Sequence, residues 1–211
     1  MRRRTLLGGA VALFGGSVGG CSVLPSQPYV QRRDWPLAVR RGEARGPRIG
    51  GRMLLVRSVT AAPGLEARGV QWLLPDGSVH VDYYEQWAVP PAQAVEDDLR
   101  QWLADAGLFA AVVGPGSRIN ADLVLEGELT ALVGDLQAGV ARASLALVLL
   151  DQHPNPAKVL LQQTATATVP LASNEPKAVV AALQAAVAAV LRQAEATVAG
   201  ALPLRTDGRP A

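Results

Sequence analysis

Two helical patterns, each opened by proline, interrupt a chain whose other apolar segments run at the period of strands, and this order restricts the folds open to it. Pro90-Pro91 stops one strand-like run and opens a helix, because proline is tolerated in the first turn, where its missing N–H has no partner to lose. Val95, Leu99, Trp102, Leu103 and Ala106 then recur at helical spacing, and Gly107 supplies the stop. Glu96, Asp97 and Asp98 are expected in the first turns, where carboxylates suit the helix dipole. Consecutive helix positions point in different directions, so these acids do not make a metal site. Ser173 or Asn174 is placed to cap a second helix with Pro176 in its first turn. Its buried stripe is Val180, Leu183, Val187, Val190, Leu191, Ala194 and Val198, and Gly200 and Pro203 end it.

The remaining apolar runs read as strands. Arg52–Thr60 lies between Gly50-Gly51 and Pro63-Gly64, and Gly69–Leu74 and Val79–Tyr84 flank the turn Pro75-Asp76-Gly77-Ser78 as a hairpin. In its second arm Val79, Val81 and Tyr83 alternate with His80, Asp82 and Tyr84, which predicts one apolar and one polar face. Phe109–Val113, Ala121–Val133, Gly139–Leu150 and Lys158–Val169 read as four further strands separated by Gly, Pro and Asn turns. The order strand, hairpin, helix, four strands, helix predicts an α/β fold bordering on α+β, with a single mixed sheet backed by two main helices.

The N-terminus has a different character. Arg2, Arg3 and Arg4, an apolar stretch from Thr5 to Phe14, and glycine-rich residues before Cys21 have the layout of an export signal over residues 1–20. Glycines interrupt a stretch too short for the roughly 20 apolar residues a membrane span needs. Arg3-Arg4-Thr5-Leu6-Leu7 is similar to a twin-arginine core, and an ordinary positive n-region explains it equally well. Val18-Gly19-Gly20-Cys21 resembles a lipobox, and Cys21 is the only cysteine, which favours lipidation over a disulfide scaffold. Acyl chains such as palmitate, two or more per molecule, give stable anchoring at roughly 0.8 kcal/mol per buried methylene. Residues 21–47, rich in Pro, Gly, Ser and Arg, read as a lipidated flexible tether with one short extended piece near Trp35–Val39. Residues 48–203 then form one domain, and 204–211 a disordered tail.

Charge follows the same division. Residues 1–52 carry a net +8 and residues 53–211 a net −6, so the basic balance of the whole chain comes from its N-terminal quarter. A slightly acidic body does not resemble a nucleic-acid footprint. Arg32, Arg33, Arg40, Arg41, Arg45, Arg48 and Arg52 either lie near anionic head groups or are simply solvated.

Catalytic motifs are missing from the sequence: there is no G-x-S-x-G, H-E-x-x-H, C-x-x-C or Walker loop, and the only histidines are His80 and His153. Gly114-Pro115-Gly116-Ser117-Arg118 joins two strands and lacks the helix a phosphate loop uses. No cofactor or metal is expected. The more informative residues are Trp72, Tyr83, Tyr84 and Trp87, since aromatics are enriched at binding surfaces and one of the two tyrosines must face outward. Those facing outward are candidates for contact with a periplasmic partner or a sister subunit; the alternative is that Trp87 and Trp102 seat the helix on the sheet.

Val81-Asp-Tyr-Tyr-Glu-Gln-Trp87-Ala-Val-Pro-Pro91, the helix after it, Leu108-Phe-Ala-Ala-Val-Val113 and Ala121-Asp-Leu-Val-Leu-Glu-Gly-Glu-Leu129 together resemble the ABC-type transport auxiliary lipoprotein family over residues 50 to 195. The resemblance implies a sheet similar to the amino-terminal domain of the Tol system β-propeller protein. It also implies a non-catalytic lipoprotein working beside a mammalian-cell-entry-type periplasmic protein, a permease and an ATPase in lipid transport, and bridging that periplasmic component to the membrane. Ser22, where aspartate would favour inner-membrane retention, implies the periplasmic face of the outer membrane. A lipid-anchored carrier or hydrolase is the competing reading. The strands after Phe109 depart from the family pattern in having few aromatics.

Overall fold

The computed structural model describes residues 30–49, 51–153 and 156–202; Cys21, the export segment and the tail expected over 204–211 lie outside them. The elements in chain order are β1 (Arg33–Trp35), β2 (Met53–Ala61), β3 (Gly69–Leu73), β4 (Val79–Trp87), α1 (Pro91–Asp105), β5 (Ala111–Val113), β6 (Leu123–Asp135), β7 (Val140–Asp151), β8 (Lys158–Pro170) and α2 (Pro176–Ala201). The expected mixed α/β sheet with two helices is the observed one.

β6 is the spine of the sheet. One of its edges pairs antiparallel with β7 along its whole length, from Leu123 opposite Asp151 to Asp135 opposite Val140, and β7 pairs with β8 in turn. The other edge therefore serves two parallel partners in succession: β2 beside Leu123–Leu129, then β3 beside Gly134 and Asp135. Outside β2 lies β5, and outside β3 lie β4 and then β1.

Period-2 burial decides which face the helices cover. Leu123, Leu125, Leu129 and Leu132 of β6 and Ala141, Ala143, Leu145, Leu147 and Leu149 of β7 are buried, while Glu128, Thr130 and Arg142 between them are exposed. α2 packs on β7 and β8, α1 packs on β2 and β5, and the helices touch each other, so both back the same face. At roughly 1.5–3 kcal/mol per buried leucine-sized side chain, this layer is the main source of stability. α2 has the length and apolarity of a membrane span, but its stripe Val179, Leu183, Val187, Leu191, Ala194 and Val198 is buried against the sheet, as befits a core helix. Gly134 permits that packing, since a Cβ there would lie 2.7 Å from Val179 Cγ1.

Local details differ from expectation. Glu175, not Ser173 or Asn174, is the N-cap of α2, in extended geometry and without a side-chain bond, because the residue before a proline is pushed out of the helical region. Pro90 before Pro91 does the same for α1, and its acids lie beyond the first turn. β4 does not present one apolar and one polar face: Val79, Val81, Tyr83 and Tyr84 are all exposed. The cause is topological, because α1 and α2 pack on β2, β5, β6, β7 and β8 and leave both faces of β4 largely uncovered.

The largest correction concerns the tether. From Gln31 the chain is packed on the domain as a strap: β1 joins the sheet, Leu37 and Val39 are buried, and Arg45 N–H and Arg48 N–H donate to the carbonyls of Asp105 and Phe109 at 2.7 and 2.8 Å. Trp35, Leu37 and Val39 alternate with polar or small residues, and that pattern outweighs the linker-like composition around it. Nor are the arginines simply solvated, since Arg33, Arg40, Arg41 and Arg52 pair with Glu85, Asp98, Glu195 and Asp151. The basic segment is complementary to the acidic body.

Candidate functional site

The hairpin of β3 and β4 contains a large irregularity. Gly69 is opposite Gln86, yet Gln71 is opposite Val81, so the single residue Val70 faces the four residues Asp82 to Glu85. Such bulges bend a strand and re-aim its side chains. This one is held from within: Asp82 Oδ1 accepts the N–H groups of Tyr84 at 2.8 Å and Glu85 at 3.0 Å, and Gln86 Nε2 donates to the Tyr83 carbonyl at 3.0 Å. Gly69 is required opposite, because a Cβ there would lie 2.4 Å from the Asp82 carbonyl oxygen and 2.5 Å from Val81 Cγ1. The result is an aromatic knob. The Tyr83 and Tyr84 rings meet edge to face with centroids 5.2 Å apart, and the residues are 67% and 42% exposed. Paired aromatics add about 0.5–1.5 kcal/mol beyond burial, so the two rings hold each other in place.

Beside the knob, the strap is fastened. Glu85 is buried and accepts Trp35 Nε1 at 2.6 Å and Arg33 Nε at 2.8 Å, while the Arg33 guanidinium sits 5.6 Å from the Trp35 ring centroid. Ala88 N–H donates to the Trp35 carbonyl, and Trp87 N–H donates to that of Arg68, each at 2.7 Å. The exposed tyrosines thus stand on a rigid base at the point where the N-terminal segment joins the domain.

The family model of the ABC-type transport auxiliary lipoprotein component matches residues 36–195, which include this hairpin, α1, most of α2 and all the long strands. The chain belongs to that family. Among solved structures, this auxiliary lipoprotein is similar to a Xanthomonas campestris protein of the family model DUF330, at 22% identity and TM-score 0.66, over 77% of this chain and 92% of that one. A second, described only as an uncharacterised protein, shares 16% identity at TM-score 0.64 over 80% of this chain and 99% of that one. At these identities the likeness is one of fold. A comparison with curated sequences finds no match. The family makes the auxiliary lipoprotein an envelope-associated component of ABC-type transport rather than a member of an enzyme family.

The structure separates the four aromatic residues singled out in the sequence. Tyr83 and Tyr84 are surface residues, whereas Trp87 (1% exposed) and Trp72 (6%) are core residues and offer no surface to a partner. Trp102 is likewise buried, and its Nε1 donates to Glu195 Oε2 at 2.8 Å. Trp72 Nε1 is buried without a hydrogen-bond partner among the described residues.

Sequence reasoning missed the carboxylates that fasten the strap. Asp98, on α1, is buried and accepts Val39 N–H at 2.8 Å and Arg40 Nη1 at 2.6 Å. Burial pushes its carboxyl above the ordinary value near 3.8, against the opposing pull of Val39 and Arg40. Its neighbours serve elsewhere: Glu96 accepts Val59 N–H at 3.0 Å, and Asp97 pairs with Arg100 at 2.8 Å. The three adjacent acids thus fan out to β2, to their own helix and to the strap. Where β6 and β7 meet at Leu123 and Asp151, burial pushes the Asp151 carboxyl up, but the His153 N–H and Arg52 outweigh it and leave that carboxyl below its ordinary value.

Open depressions mark the surface. A trough of about 680 Å³ lies on the helix-free face, lined by Arg57, Thr60, Glu126, Glu128, Val148 and Gln162 among others. A cleft of about 580 Å³ lies between the strap, α1 and α2.

Proposed function

We propose that this auxiliary lipoprotein is a non-catalytic subunit of a lipid transport system. It holds a periplasmic substrate-binding component of mammalian-cell-entry type to the membrane through acyl chains on Cys21, at the periplasmic face of the outer membrane. The permease and ATPase of the system are separate chains. The observation that carries the reading is the placement of the Tyr83–Tyr84 knob beside the fastening of the strap on Glu85. Cys21 precedes Arg33 by 12 residues, a reach of at most about 43 Å at 3.3–3.6 Å per residue. A partner gripping the knob is thereby kept within that distance of the anchor. Tyrosine suits the role, because a large rigid ring with a polar tip gives contact area at small conformational cost.

A carrier or hydrolase requires an apolar cavity that encloses its lipid. The depressions described are open to solvent and rimmed by charged residues, so they do not enclose a whole lipid with its acyl chains, which supports the adaptor reading. The test is photo-crosslinking in intact cells from a benzophenone amino acid at position 83 or 84, with position 118 as control. The reading predicts one crosslinked transport component from 83 and 84 and none from 118; crosslinks that do not differ between the positions count against it.

A further inference from the structure

The cleft between strap and helices has a composition that the adaptor role does not use. Residues 188, 192, 195, 196 and 199 fall on one face of α2 by helical spacing, and this face has no protein element packed over it along the cleft. Ala188, Ala196 and Ala199 keep it low and apolar, and Trp102 and Leu108 form the wall opposite. Glu195, at the base, is already committed to Trp102 Nε1 and to Arg41, with Arg41 and Glu195 side chains only 14% and 18% exposed. At the rim stand Arg45 and Arg192, which have no carboxylate partner among the described residues. The lining as a whole holds four arginines against Glu43 and Glu195.

We infer that this cleft binds an anionic amphiphile, with its phosphate between the Arg45 and Arg192 guanidinium groups and its first chain carbons along the alanine face of α2. Guanidinium groups match phosphate oxygens in bidentate geometry. The volume of about 580 Å³ is in the range of small-molecule sites, enough for a head group and the adjoining carbons. Small aliphatic side chains suit alkyl carbons better than a planar base, which would need an exposed aromatic face to stack on. The inference is independent of the partner assigned to the tyrosine knob.

The test uses the full chain with Cys21→Ser, which removes the attachment point for acyl chains and with it the need for detergent. Calorimetric titration with dihexanoyl phosphatidylglycerol below its micelle concentration is compared with dihexanoyl phosphatidylcholine and with sodium phosphate. Phosphatidylglycerol is expected to bind at least tenfold more tightly than either. Arg45→Glu with Arg192→Glu is expected to lower that affinity tenfold or more, and Ala196→Leu, which fills the cleft without changing charge, to lower it as well. Arg118→Glu with Lys158→Glu, the same change in net charge outside the cleft, is expected to leave it within twofold. Circular dichroism confirms that each variant is folded. Sodium phosphate binding as tightly as phosphatidylglycerol, equal binding of the two lipids, or equal losses from the two charge-reversed pairs overturns the inference.

Discussion

The buried carboxylate of Asp98 accepts the backbone N–H of Val39 at 2.8 Å, a bond that joins positions 59 apart in the chain and fastens the strap to α1. Asp98→Ala leaves that N–H without its partner and releases Arg40, so the domain is expected to lose about 1–3 kcal/mol. Urea unfolding measures the loss, and hydrogen exchange is expected to accelerate over residues 37–45 before the rest of the chain.

The same residue gives a pH dependence of definite sign. Because burial raises the Asp98 pKa in the folded state, the fold binds that proton more tightly than the unfolded chain does. Its contribution is fully present below about pH 4 and declines as pH rises through the raised value. Asp98→Asn removes the titration, so the stability difference between wild type and this variant is expected to move in the variant's favour from pH 4 to pH 7. Parallel urea midpoints check the slope, and an unchanged or opposite difference contradicts the assignment.

Gly69 and Asp82 shape the knob together. Gly69→Ala places a methyl group against the Asp82 carbonyl, and rearranging the bulge is expected to cost about 2 kcal/mol. Asp82→Ala removes two hydrogen bonds at a partly exposed site and is expected to cost about 1 kcal/mol. Both variants are expected to weaken partner capture while the far-ultraviolet circular dichroism stays that of the folded domain.

The tryptophans are expected to behave oppositely. Trp87→Ala opens a cavity in the core and is expected to cost about 3–5 kcal/mol. Trp72→Phe removes a buried donor that has no partner and keeps most of the ring, so it is expected to leave the thermal midpoint unchanged or raise it. A large loss from Trp72→Phe contradicts this expectation.

What the sequence disclosed, and what it did not, divides along the range of the forces involved. Proline-opened helices and alternating strands are local patterns, and α1, α2, β6, β7 and β8 lie close to where those patterns place them. The bulge at Asp82–Glu85 is an event of register, fixed by a glycine in the neighbouring strand, and alternation alone reads straight through it. Asp82 two residues before Tyr84 is a turn-forming spacing that could have betrayed it. The strap was hidden by composition, since its glycines, prolines and arginines resemble a linker and its fasteners Glu85, Asp98 and Glu195 are distant in sequence. The exposure of Tyr83 was illegible because it depends on the bulge and on which strands the two helices cover, and both are set by distant parts of the chain.

The central claim is that this lipoprotein holds a transport component to the membrane through the Tyr83–Tyr84 knob and an acylated Cys21. The most direct test is affinity purification of the full-length protein from detergent-solubilised envelopes, with mass spectrometry of its N-terminus and of the proteins retained, for wild type and for Tyr83→Ala with Tyr84→Ala. The account predicts an acylated Cys21 in both, a mammalian-cell-entry-type component with the wild type, and its loss from the folded variant. An unmodified thiol, or capture undiminished by the two substitutions, contradicts it.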